Sequence, residues 1–200
     1  MKASQILLGL VLVILLGAVV GGGCAFSGYN QAMRMDETVN QASAEVDNQL
    51  KRRSELIKEL VGTVKGVAGQ EQTVFLGIAK AQESYFQAKE SGSVEAKDTA
   101  GHQMDSALSR LLILAQQYPE LKSNESFLKL QDELAGTENR LSVARQRYNQ
   151  SAQDLNTYVR QFPGSFFASL AGVQKRAYYE TPAEEREAPK VDFSDLQKKE

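Results

Sequence analysis

The first proline in this chain is residue 119, and only Pro163, Pro182 and Pro189 follow it. Proline removes an amide donor and clashes with the preceding helical turn, so its absence leaves residues 1–118 open to long helices. The apolar spacing fits such helices. From Phe127 to Phe162, steps of three and four residues meet Phe127, Leu130, Leu134, Thr137, Leu141, Ala144, Tyr148, Ser151, Leu155, Tyr158 and Phe162. This is an a/d seam of the coiled-coil kind, sustained for five heptads. Ser123 and Asn124 supply start signals and Pro163-Gly164 a stop, which predicts a helix over 124–161.

Earlier segments repeat the pattern. Val46, Leu50, Arg53, Ile57, Leu60, Val64 and Val67 form one stripe, after which Gly66 and Gly69 predict a break near 66–70. A third stripe carries Val74, Ile78, Ala81 and Tyr85, and a fourth carries Met104, Ala107 or Leu108, Leu111, Leu114 and Tyr118. No alternating apolar run of strand length stands between turn signals. The expected fold is all-α: an antiparallel bundle of about four long helices behind an N-terminal membrane helix.

That membrane helix is expected because no charge occurs between Lys2 and Arg34, and Ile6–Phe26 is almost wholly apolar. Twenty-one residues span roughly 32 Å as a helix, about one hydrocarbon core. An uncleaved single-pass span and a lipoprotein signal both fit. Cys24 follows three small residues and is the candidate lipidation site, although Gly21 stands where a lipoprotein signal usually has a leucine-like residue. Lys2 and the sparse basic residues after the span favour a cytoplasmic amino terminus and an exported bundle. The expected divisions are 1–28 for the membrane anchor or signal segment, 29–180 for the bundle, and 181–200 for a disordered tail, half of it charged.

Composition removes several functions. A net charge of -2 offers no electrostatic footprint for nucleic acid. One cysteine and one histidine, Cys24 and His102, rule out a thiolate zinc cage and a multi-histidine metal site. No phosphate-binding glycine loop is present. No catalytic, cofactor-binding or metal-binding residue is therefore assigned.

The motifs resemble the LemA family of bacterial membrane proteins. The resemblance rests on Tyr29-Asn30, Gln49-Leu50-Lys51-Arg52-Arg53 and Thr63-Val64-Lys65-Gly66 in the first half. In the second half it rests on Leu108-Ser109-Arg110-Leu111-Leu112, Tyr118-Pro119-Glu120-Leu121-Lys122 and Leu130-Gln131-Asp132-Glu133-Leu134. Gly136-Thr137-Glu138-Asn139-Arg140, Tyr148-Asn149 and Phe162-Pro163 complete it, over roughly 29–180. It implies a helical bundle behind an N-terminal membrane segment, with no established enzymatic activity. Ser43, Lys58, Val67 and Gln70 depart from the family pattern, which has an aromatic residue, a nearby proline, a tyrosine and a histidine at those places.

Arg53 is the one charge on its apolar stripe. Two readings are open: a buried ion pair with Glu138 that sets helix register, or a side chain that snorkels to solvent from the stripe's edge. The expected function is a membrane-tethered scaffold or adaptor in the bacterial cell membrane, contacting the lipid bilayer and an unknown protein or a second copy of itself. The alternative is a cryptic hydrolase with a site between helices, and the lack of a nucleophile–base pair in the sequence argues against it.

Overall fold

The structure is a computed structural model describing residues 2–68 and 71–180, with the side chains of 2–7, 10, 13–14, 17–21 and 24 outside the described set. Among the described residues six helices follow one another: α1 (Lys2–Lys65), α2 (Gln72–Ser91), α3 (Val94–Gln116), α4 (Pro119–Lys122), α5 (Glu125–Arg160) and α6 (Gly164–Leu170). Among the described residues no strand occurs.

Side-chain pairings give the directions. Tyr158 donates to the Gly28 carbonyl while Arg52 meets Glu133, so α5 runs antiparallel to α1. Tyr85 and Gln82 reach the Asp47 and Ser54 carbonyls, so α2 also descends. Lys97 pairs with Asp47 and Asp105 with Arg53, so α3 ascends beside α1. The helices thus alternate up and down.

The ends are set locally. The amide of Gly92, at φ 68°, closes α2 on the Lys89 carbonyl, and Ser93 caps α3 by accepting from the Ala96 amide. Asn124 caps α5 by accepting from the Phe127 amide. The α1 stripe is buried from Val46 through Val64, including Arg53. Leu60, Leu111, Leu134 and Leu141 are core residues.

The charge-free run and the first helix of the bundle are continuous, both lying within the 64-residue helix α1. Gly21–Gly23 weaken that helix without a proline or cap to end it. Among the described residues, no helix is both long and apolar enough to cross a membrane. The structure corrects two expectations. Val67 lies beyond the end of α1 at Lys65 and is exposed, with Ala68 buried instead. Phe162, expected on the seam, lies past the end of α5 at Arg160, where helical spacing no longer directs its side chain. The expected tail, 181–200, lies outside the described residues.

Candidate functional site

The buried charged residues, Arg53, Lys97 and Asp98, collect where α1, α3 and α5 meet. Arg53, with its side chain only 6% exposed, approaches Asp105 of α3 at 2.5 Å and also pairs with Glu138 of α5. Burial pulls the Arg53 guanidinium below its ordinary pKa, Asp105 opposes that shift, and nearby Arg145 adds to it. Arg145 of α5 lies 3.1 Å from Asp98 of α3 and stacks 5.6 Å from the Tyr179 ring centre. Lys97 of α3, almost fully buried, meets Asp47 of α1 at 2.8 Å. His102 stands between Asp98 and Asp105, at 3.7 and 3.8 Å. Opposite charges thereby pin the three helices at two levels of α3, one at Lys97 and Asp98 and one at Asp105.

Backbone shape makes room for these groups. A Cβ at Gly101 would lie 2.8 Å from Arg145 Nη2, so a residue without a side chain lets the guanidinium cross α3. Beside Arg53 lies a cavity of about 380 Å³ lined by Leu108, Leu112, Gln131, Asp132, Leu134, Ala135 and Glu138. Its lining holds the carboxylates of Asp132 and Glu138 and no serine, threonine, cysteine or histidine. Among the described residues, no cluster of three or more His, Cys, Asp or Glu side chains is arranged to hold a metal ion.

A second polar device fastens the chain after α6. Residues 173–180 run without regular structure along α5. Asn156 accepts from the Arg176 amide and donates to the Arg176 carbonyl, each at 2.8 Å. Asn149, seven residues earlier, does the same for Tyr179 at 2.9 and 2.8 Å. Each carboxamide presents one acceptor and one donor, as a neighbouring strand would, and so satisfies both main-chain groups of a segment without a sheet. The Tyr148 hydroxyl donates to the Ala177 carbonyl, and Arg176 reaches Asp36 of α1 at 2.7 Å. Burial pushes the Tyr179 hydroxyl well above the usual tyrosine range, with nearby Asp47 in support.

Of the residues singled out in sequence, Arg53 and Glu138 are brought together. The Cys24 side chain lies outside the described set. The Lys51-Arg52-Arg53 run divides three ways: Lys51 faces Glu55 on the surface, Arg52 faces Glu133, and Arg53 turns inward. Asp105, Lys97, Asp98, Arg145, Asn149 and Asn156 were not anticipated. A signal existed for some of them. Extending the α3 stripe backwards from Met104 by four and three residues reaches Lys97, and Glu138, Arg145, Asn149, Ala152 and Asn156 form a second stripe on α5 at seven-, four-, three- and four-residue steps.

The sequence profile of the LemA family matches residues 42–193. The chain belongs to the LemA family. The match contains the whole charged interior and both asparagine clamps of this LemA protein, and it runs beyond the expected bundle boundary at 180. Two curated relatives are similar over a shorter stretch. Magnetosome protein MamQ 2 of Paramagnetospirillum magneticum and magnetosome protein MamQ of Magnetospirillum gryphiswaldense are each 30% identical over 78 residues, 38% of this chain. The matched stretch spans only 29% of each relative's length.

Proposed function

We propose that this LemA-family chain is a membrane-tethered helical scaffold, an adaptor that contacts other proteins at the bilayer surface and performs no catalysis. The observation that carries this reading is the continuity of α1. One helix begins at Lys2, exposes Leu8, Val11, Leu12, Leu15 and Leu16 among its described side chains, and becomes the central strut of the bundle. Among the described residues it meets the bundle at Gly28, against Phe167 and Tyr158. A helix that is apolar on all sides, and whose described large apolar side chains are exposed, needs an apolar solvent, which a bilayer supplies. The bundle's ion pairs then act as register pins rather than as reacting groups.

Membrane fractions of cells producing the full chain test the tether. Retention through an alkaline wash is expected, and release into the wash overturns it. Cys24→Ala separates the anchoring modes: a plain span is unaffected, whereas a lipoprotein loses its acyl chains and keeps Met1–Gly23, a difference read by mass. The same background with Ser194→Cys reports orientation. Labelling of intact cells by a membrane-impermeant thiol reagent is expected for an exported bundle, and labelling only after lysis overturns that orientation. Cross-linking in intact cells tests the adaptor role, and recovery of uncross-linked monomer alone overturns it.

A further inference from the structure

The bundle end from which the apolar part of α1 emerges carries a second apolar surface. Helix α6 is seated there by Gly28, where an added Cβ would fall 2.1 Å from the Phe167 ring, so only glycine admits the ring directly onto the α1 backbone. Tyr158 locks the same level through its 2.8 Å bond to the Gly28 carbonyl. With Phe167 turned inward, the remaining large side chains turn out: Phe162 is 89% exposed, Phe166 62% and Leu170 63%. One turn of α1 at the same level adds Phe26 and Tyr29, at 72% and 37%. Five large apolar side chains exposed at one end of the bundle, contiguous with a charge-free helix, are a surface that water does not favour.

Charge at this end has one sign along a long stretch. Between Asp154 and Glu180 the chain has no acidic residue, while Arg160, Lys175 and Arg176 are basic. Arg34 is the first charge on α1 after Lys2, and it is exposed, as are Arg160 and Lys175. Arg176 is engaged with Asp36. Aromatic side chains with adjoining basic residues are the composition of a segment lying in the plane of an anionic membrane interface.

We propose that α6 and the Phe162 turn form a foot that rests in the interface of the same bilayer that α1 enters, with Phe162, Phe166 and Leu170 below the headgroups and Arg160 and Lys175 at phosphate level. The foot rests on the tether reading and adds a second contact to it. A single span leaves the bundle free to tilt about the exit point of α1; a second contact on another helix removes that freedom and presents one fixed face to partners. A second copy of the chain is the competing occupant.

The chain has no tryptophan, so a substituted one is a unique reporter. Full-length Phe166→Trp and Ile113→Trp proteins are reconstituted in vesicles of phosphatidylcholine and phosphatidylglycerol, with and without brominated acyl chains. Ile113 is an exposed apolar residue near the opposite end of the bundle and serves as the control. A tryptophan held roughly 5–10 Å into the headgroup–acyl boundary emits at shorter wavelength and is quenched by bromine. The expected result is quenching of Phe166→Trp and none of Ile113→Trp. An unquenched Phe166→Trp with a water-like spectrum overturns the foot. A blue-shifted but unquenched Phe166→Trp, reversing on dilution of protein into excess lipid, overturns it in favour of self-association. An alkaline wash of the same vesicles reads the tether separately: quenching in a protein that the wash removes supports the foot and overturns the span.

Discussion

Arg53 is a cation held where water scarcely reaches, between two carboxylates that do reach it. Its side chain is 6% exposed, whereas those of Asp105 and Glu138 are 35% and 46% exposed. The consequence of breaking the cluster therefore depends on which charge is removed. Asp105→Asn with Glu138→Gln leaves a buried guanidinium uncompensated, which costs about 3–5 kcal/mol. Each single substitution leaves the other carboxylate in place and costs about 1 kcal/mol, so the double variant, at about 3–5 kcal/mol, loses more than the sum of about 2 kcal/mol. Arg53→Met removes the cation but keeps an apolar side chain of similar reach, and the two carboxylates relax into solvent; its cost is about 1 kcal/mol. Thermal unfolding of the full-length protein in detergent, followed by circular dichroism, reads these values at roughly 2–4 °C per kcal/mol. The double variant should melt roughly 6–20 °C below the parent, and Arg53→Met within a few degrees of it. If Arg53→Met melts as low as the double variant, burial of the cation is not the governing term. An additive double variant shows that Arg53 finds water, and the register-pin argument fails.

Other variants probe separate links. Leu141→Asp places a charge at a fully buried seam position and should cost several kcal/mol, so melting close to the parent's would remove Leu141 from the core. Asn149→Ala with Asn156→Ala strips the hydrogen-bonding partners of Arg176 and Tyr179, and amide exchange at those two residues should speed up while α5 stays protected; unchanged exchange contradicts the clamp. Burial, with help from Asp47 and Glu55, pushes the Tyr85 hydroxyl up to about 12 in the folded state, against about 10 in the unfolded chain. Because the folded form then holds its proton where the unfolded form has lost it, stability is complete below pH 10 and falls as pH rises from there through about 12. Tyr85→Phe should flatten part of that fall in pH-dependent unfolding, the remainder belonging to Tyr148 and Tyr179, whose hydroxyls burial also raises.

Helical periodicity is a local property, so residue spacing alone established the class of fold, the break after Lys65, the extent of α5 to within a residue at each end, and core positions such as Leu60, Leu111 and Leu141. A charge on an apolar stripe marked Arg53 by the same reasoning. The family was legible too, because short combinations such as Gly136-Thr137-Glu138-Asn139-Arg140 specify it without reference to contacts. Partners across helices are set instead by rotation and relative height, which no single stripe encodes. Asp105 joined Arg53 and Glu138 only because α3 ascends beside α1, and Arg145 reached Asp98 only because Gly101 leaves a gap for it. Irregular segments have no period at all: the lie of residues 173–180 against Asn149 and Asn156 depends on main-chain groups that are the same in every sequence. The outward turn of Phe162 and Phe166 was likewise decided by packing, since Phe167 takes the one space that Gly28 leaves open.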